Sequence, residues 1–543
     1  MIITFMEVMF VAIIENPILP GFNPDPSIIR VDDDYYIATS TFEWFPGVQI
    51  HHSKDLKNWR LLTHPLTRKS QLDMIGNPDS GGVWAPCLSY DNGTFYLVFT
   101  DVKSHIGPFK DTHNYLITAK DIMGPWSDPI YLNSSGFDPS LFHDDDGRKW
   151  VLNMLWDHRK NKNSFGGIVL QEYSEAEQKL VGPIYNIFKG TELGLTEAPH
   201  IYKNNGYYYL MTAEGGTRFN HAVTVARSTS LFGPYEVDPE NPMLTSANKP
   251  ELPLQKAGHA SIVETQTGEW YLVHLTGRPL EKSNFCTLGR ETAIQKVEWS
   301  EDNWLRLSSG GNSPQLKVET PFEEHPFPKE PETDHFDDEK LSIHFNSLRE
   351  PVSEEWASLT ERKGFLRLTG RESFSSNHRQ SLIARRQQAF AFEAETVVEF
   401  APETFQQMAG LVYYYNKNNY YYLFVSYDEE LGKCIGIMSR DKGAYDEPID
   451  QPVSIEGWDQ CYLKAKVDYE ELQFYYSQDG ENWNKIGPVL DASKISDDNV
   501  ELAVNGVMLD QGFTGAFIGL CAQDLSGQKK PAYFDFFTYR ELS

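Results

Sequence analysis

Cysteine is scarce in this sequence, and its pattern is uninformative for metals. The five copies, Cys87, Cys286, Cys434, Cys461 and Cys521, are odd in number, far apart and never in a CxxC pair. That argues against a zinc knuckle or a disulfide framework, and it fits reduced thiols in a cytoplasm. Basic residues are in deficit: 48 Lys and Arg against 77 Asp and Glu give a formal net charge of −29. A polyanion gains no counterion-release energy on nucleic acid, so no nucleic-acid partner is expected, and the charge is read as solubility. A membrane-length apolar run is also missing. The longest candidate, residues 1–14, is too short to span a bilayer. It has no Lys or Arg before its apolar part, is interrupted by Glu7 and is followed by no small-residue cleavage site. It is expected to be an extension outside the main folded units, pairing as an extra strand, with no membrane partner. Without export, the sequons at Asn92-Gly93-Thr94 and Asn133-Ser134-Ser135 carry no meaning. The absence of GxGxxG, HExxH and GxSxG argues against a nucleotide site, a zinc protease and an α/β-hydrolase.

Aromatic residues, by contrast, are abundant: 32 Phe, 28 Tyr and 12 Trp. They supply ample core and lean the chain toward β structure. A length of 543 residues calls for two or three domains. Within the first three hundred residues one pattern recurs five times: a short segment with Pro or a small residue, a polar turn, then an aromatic-rich strand. The segments are Asp25-Pro26-Ser27, Trp84-Ala85-Pro86, Asp138-Pro139-Ser140, Glu197-Ala198-Pro199-His200 and Gly258-His259-Ala260-Ser261. Counted from Pro26, Pro86, Pro139, Pro199 and Ala260, the separations are 60, 53, 60 and 61 residues. Asp91-Asn92-Gly93 and Asn204-Asn205-Gly206 are hairpin turns, because Asn and Gly accept positive φ. Each unit holds about four strands, the size of a propeller blade. The fold class is therefore all-β, opening with a five-bladed β-propeller.

A propeller lines its axis with the first strand of every blade. Positions sixty residues apart thus converge, and Asp25, Trp84, Asp138, Glu197 and His259 are expected around one cavity. Three carboxylates held together cannot all ionise freely, so at least one pKa should rise. Glycoside hydrolysis uses such a split, with one acid protonated for the leaving oxygen and one ionised to activate water. An aromatic wall would pack on a sugar ring, and Arg290 would hold sugar hydroxyls or a carboxylate. Each residue alone has a plainer reading: Asp-Pro-Ser is usually a turn, His259 structural and Trp84 core. The register across blades is what tells against those readings. Asp144-Asp145-Asp146 lacks the later Glu of a calcium loop and is read as a solvated turn.

Several runs resemble glycoside hydrolase family 43: residues 16–27 around Asn23-Pro24-Asp25-Pro26-Ser27, residues 40–47 around Phe42, Gly82-Val83-Trp84-Ala85-Pro86, Gly136-Phe137-Asp138-Pro139-Ser140, Thr196-Glu197-Ala198-Pro199-His200 and Lys256-Ala257-Gly258-His259-Ala260. The family's usual Gly-Pro-His after the acid reads Ala198-Pro199-His200 here. The C-terminal part, with Phe513-Thr514-Gly515-Ala516-Phe517, is similar to that of the two-domain β-xylosidases of the family. The resemblance implies hydrolysis with inversion. Asp25 would be the general base, Glu197 the general acid, and Asp138 the carboxylate that raises and orients the acid. Phe42 and Trp84 would wall the sugar pocket, and His259 and Arg290 would line its floor. It implies exo action on xylo-oligosaccharides, releasing D-xylose from non-reducing ends of β-1,4-linked chains. The rival on the same scaffold is an α-L-arabinofuranosidase. A non-catalytic sugar-binding propeller would need one carboxylate to be missing, and all three are present.

The Pro- and Glu-rich stretch 321–335 reads as a linker. It separates a propeller over 16–320, preceded by the extension 1–15, from alternating aromatic strands over 336–543 that read as a β-sandwich. In the similar enzymes this domain is lectin-like (concanavalin A-like), and one of its loops closes the propeller pocket. Phe513, and second to it Phe517, is expected in that loop. Asp337 and Asp535 could share a structural calcium ion, as in related sandwiches; no cofactor is expected for catalysis. The resemblance also implies a homo-oligomer, a dimer or tetramer.

Overall fold

The protein is described by a computed structural model over residues 12–504 and 507–542; the apolar start, 1–11, lies outside the described residues. Five antiparallel sheets of at least four strands follow one another from Ser27 to Leu307. Their innermost strands are Ser27–Val31, Gly82–Asp91, Ser140–His143, Glu197–Asn204 and Gln255–Glu264, which we call the first strands of blades I to V. The expected turns form as two-residue connections: Asp91 pairs with Thr94 across Asn92 (φ 47°) and Gly93 (φ 73°), and Asn204 pairs with Tyr207 across Asn205 (φ 46°) and Gly206 (φ 81°). Two successive positive φ values match the twist of the flanking strands, and Asn and Gly accept them at low cost. Blade IV carries one strand more than expected, Leu244–Thr245, on Ala222–Ser228.

The ring closes without exchanging a strand between blades I and V. The segment before blade I lies along the end of blade V instead. Ala12–Glu15 pairs with Lys317–Thr320, so the described end of the extension forms the extra strand. The Asn16 carboxamide then imitates a peptide, donating to Ile294 O at 2.7 Å and accepting from Ile294 N–H at 2.8 Å. Leu19 and Thr292 add a two-bond bridge. Buried Ile14, Leu19, Ile28 and Tyr35 from the start of the chain pack there on Val263, Tyr271 and Ile294 of blade V.

The second half forms two stacked sheets around a core that includes Trp356, Leu411, Tyr413, Leu463, Phe474 and Phe534. The first strand of the sandwich, Thr333–Asp334, pairs with Pro531–Glu541 and so falls inside the stretch read as linker. The domains are not merely tethered. Trp44–Phe45, from blade I, pairs with Asn346–Leu348 and becomes the edge strand of a sandwich sheet. Trp44 and Phe517 stack there with centroids 3.7 Å apart, both fully buried. Arg349, buried behind them, bonds Asn77 O at 2.7 Å and pairs with Asp79 of the propeller. Burying large aromatics at such a joint contributes about 1.5–3 kcal/mol each, which fixes the sandwich loop 508–516 over the propeller axis.

Candidate active site

Every blade enters its first strand through a residue with positive φ: Asp25 (56°), Ala85 (38°), Asp138 (54°), Ala198 (51°) and His259 (44°). Such values are costly for non-glycine residues and persist where the surroundings over-determine them. Blades II, IV and V also carry a register shift at this point, between Trp84 and Cys87, between Glu197 and His200, and between Gly258 and Ala260. Bulges re-aim side chains. In blades I, III and V the positive-φ residue itself lines the central cavity; in blades II and IV the preceding residue does, Trp84 and Glu197. Glu197 therefore stands one residue out of register with Asp25 and Asp138.

The cavity holds about 590 Å³ and brings together Asp25, Phe42, Trp84, Asp138, Glu197, His259, Arg290 and Phe513. All three carboxylates are buried, but their surroundings differ. Asp25 accepts from Ser40 Oγ at 2.6 Å, and its other oxygen lies 3.3 Å from Arg290 Nη1 and 3.4 Å from His259 Nδ1. Burial pushes its pKa up, yet Arg290, His259 and the Ser40 hydroxyl outweigh burial and hold it below the usual carboxylate value. Among the described residues Asp138 has only the Ala198 N–H, at 3.1 Å; burial and the Asp25 charge push it up to about 8. Glu197 is raised well above its ordinary value, by burial first, then by Asp138 and Asp25, against Arg290 and Lys110. The hydrogen bond from Ala198 favours the Asp138 anion, so of these two raised carboxyls Glu197 is the one that holds its proton more firmly. The arrangement is one ionised carboxylate, Asp25, and one protonated carboxyl, Glu197, around a space open to a ligand.

Three contributors carry no signal in the blade repeat. Ser40 accepts from the strained Ala85 N–H at 2.8 Å while donating to Asp25, tying blades I and II together beneath the base. Lys110 donates to His105 O at 2.6 Å and lies over the Trp156 ring at 4.5 Å; burial pushes its pKa down to about 8. Gly289 lets the sandwich approach: a Cβ there would stand 1.9 Å from Thr514 O. Beside it, Arg290 donates two bonds to Phe513 O, at 3.1 and 2.8 Å, while touching Asp25 with its third nitrogen. The Phe513 ring packs on Phe42 (6.0 Å) and edge-on to Trp84 (5.6 Å). Farther out, Arg218 of the propeller pairs with Glu501 of the sandwich, and both line the cavity.

Gly289→Ala should therefore cost about 2–4 kcal/mol of stability, from a positive φ of 71° and a backbone clash together. Gly310→Ala has a similar φ of 76° but open space around it, and should cost only about 1 kcal/mol. Denaturant unfolding of the two variants checks this, and equal losses would contradict it.

Residues 14–305 match the family model described as glycosyl hydrolases family 43. The chain belongs to that family. Residues 333–540 match a beta-xylosidase C-terminal concanavalin A-like domain, so this family 43 glycoside hydrolase carries the lectin-like sandwich that its sequence resembled. It is 54% identical to a beta-xylosidase of Bacillus subtilis over 97% of this chain and 99% of that one. It is 53% identical to xylosidase/arabinosidase 43B of Humicola insolens, over 97% and 98%. The crystal structure of a xylan beta-1,4-xylosidase from Bacillus halodurans superposes with a TM-score of 0.94 at 61% identity, covering 97% of this chain and all of that one.

One expectation is displaced in the family 43 fold. Phe517 is fully buried against Trp44 and Phe22 in the interdomain core and does not line the cavity. Asp337 and Asp535 lie close enough for Asp337 to help raise the Asp535 carboxyl, after burial. Both are exposed, and among the described residues no group of three or more His, Cys, Asp or Glu converges on a metal position. Two carboxylates supply too few of the six to eight oxygens that calcium takes, so this pair does not by itself fit the ion.

Proposed function

We propose that this enzyme is an exo-acting, inverting β-xylosidase that releases D-xylose from non-reducing ends of β-1,4-xylo-oligosaccharides. The observation that carries the reading is the cap: Phe513, held by Arg290, lies over a cavity whose inner wall is Asp25, Phe42, Trp84 and His259. Such a pocket accepts a chain end. Asp25 takes a proton from water, whose oxygen attacks the anomeric carbon on the face opposite the leaving group. Glu197 gives its proton to the departing glycosidic oxygen, and Asp138 keeps that proton on Glu197 between turnovers. Trp84 and Phe42 pack on the ring, and Arg290 and His259 bond its hydroxyls. No cofactor takes part.

A second reading, α-L-arabinofuranosidase activity on the same three carboxylates, is favoured by the name of the Humicola relative. A Vibrio relative at 49% identity is called a xylan 1,3-beta-xylosidase, so linkage needs its own comparison. Rates on 4-nitrophenyl β-xylopyranoside, 4-nitrophenyl α-L-arabinofuranoside and 1,4- and 1,3-linked xylobiose decide among the three. The β-xyloside and the 1,4-linked disaccharide are expected to lead. Proton NMR of the first-formed sugar should show α-xylose; a β-anomer would overturn the mechanism. The five buried, unbonded cysteines support a reducing, cytoplasmic setting. A homo-oligomer, dimer or tetramer, is part of the same reading and is measured by light scattering after size exclusion.

A further inference from the structure

A second cavity, of about 450 Å³, lies where blade I, the 326–332 segment and the sandwich meet, and it shares no residue with the catalytic one. Six side-chain atoms of its lining residues are buried without a hydrogen-bond partner: Asn23 Oδ1, Gln49 Oε1, His51 Nε2, His344 Nε2, Arg385 Nε and Arg386 Nη2. Buried polar groups are ordinarily satisfied, so a concentration of exceptions in one cavity calls for a ligand or solvent that the protein does not itself supply.

The charge at the centre is also unanswered. Arg386 is 5% exposed; its Nε donates to Phe22 O at 2.8 Å and its Nη1 to Asn346 Oδ1 at 3.2 Å, while its rings of contact are Phe22 and Phe517. Burial alone acts on it, lowering its pKa to about 9, with no carboxylate among the described residues to hold it up. It is charged at neutral pH, and buried charges are ordinarily paired. Its neighbours do not help: burial keeps His51 and His344 neutral, with pKa values near 3 and 4, reinforced by Arg386 at His51 and by Arg385 and then Arg386 at His344. The acids that line the cavity belong to other partners or to its edge. Glu332 is taken by Arg540 and Lys329, Glu330 sits 3.8 Å from His344, and Glu541 faces Arg385.

We propose that this cavity is a binding site for a small oxyanion that also carries a hydroxyl group, seated on Arg386 with Arg385 as its second cationic donor. The anion answers the Arg386 charge, and its hydroxyl donates to Asn23 Oδ1, which an anion alone would leave unmet. The Gln49 carboxamide presents either end. Two sources share this chemistry, inorganic hydrogen phosphate and a sugar acid, and xylan fragments that bear uronic acid are of the second kind. Because Arg386 also braces Phe22 against the sandwich, occupation stabilises the joint between the domains.

The test is the unfolding midpoint of the full-length protein, titrated with sodium phosphate or sodium glucuronate at ionic strength held constant by sodium chloride. A saturable rise of about 2 °C or more is expected with one of them. A rise with phosphate alone assigns the inorganic source; a rise with glucuronate at lower concentration assigns the sugar acid. The rise should vanish in Arg386→Met, and in Arg385→Met the half-saturating concentration should increase about tenfold. The Arg385 variant carries the test if the Arg386 variant does not fold. No saturable rise with either anion overturns the proposal, as does a titration unchanged in the folded variants.

Discussion

Glu197→Ala should lower kcat/KM on xylobiose by about 10²–10⁴-fold while lowering that on 2,4-dinitrophenyl β-xylopyranoside by less than about tenfold. The difference follows from the leaving group. A xylose hydroxyl departs as an alkoxide unless it is protonated, whereas a dinitrophenolate departs unaided. In the enzyme the proton is held on Glu197, because burial, Asp138 and Asp25 all raise that carboxyl. The pH profile gives a second readout. The active form of Glu197 is the protonated one, so raising its pKa carries activity toward alkaline pH, and activity is lost as pH rises through that pKa. In Glu197→Ala the alkaline limb should disappear for the activated substrate. If both substrates fell equally, Glu197 would be shaping the pocket and not donating a proton.

How much of this was legible beforehand depends on the kind of signal. The blade count came from spacing, and the five positive-φ entries fall on that spacing, at 25, 85, 138, 198 and 259. Spacing put Trp84 and Glu197 at the cavity, but it could not show the bulge that turns them inward from one residue earlier. A bulge is a backbone event, marked in sequence only by Ala-Pro in blades II and IV where blades I and III have Asp-Pro. The split between the sandwich phenylalanines was equally hidden: Phe513 and Phe517 are four residues apart in one apolar run, and only the stacking of Phe517 on Trp44 decides which of them is core. Trp44–Phe45 lies within a propeller motif and gives no local sign that it edges a sandwich sheet some three hundred residues away in the chain. Gly289 and Ser40 act through contacts between blades and domains, which no periodicity encodes. The second cavity is of the same kind, since its unpaired atoms come from blade I, the segment before it and the sandwich together.

Asp25→Asn should lower kcat/KM on xylobiose and on the dinitrophenyl xyloside alike, by about 10²–10⁴-fold. Water must be activated whichever group leaves, so the base variant lacks the substrate dependence of the acid variant. Asparagine keeps the shape and can still accept from Ser40, but it cannot take a proton. Two electrostatic changes follow from losing that charge. Arg290 and His259 lose the carboxylate that they share, and Glu197 loses one of the charges that hold its proton. Its pKa should fall, so the alkaline limb of the residual activity should move toward lower pH. The acid limb belongs to Asp25 itself. Its active form is ionised and its pKa is depressed, so in the native enzyme activity should persist below the usual carboxylate range, and in Asp25→Asn that limb should be absent. A purely structural role for Asp25 would lower the rate and leave the acid limb in place, so the loss of that limb separates a base from a brace.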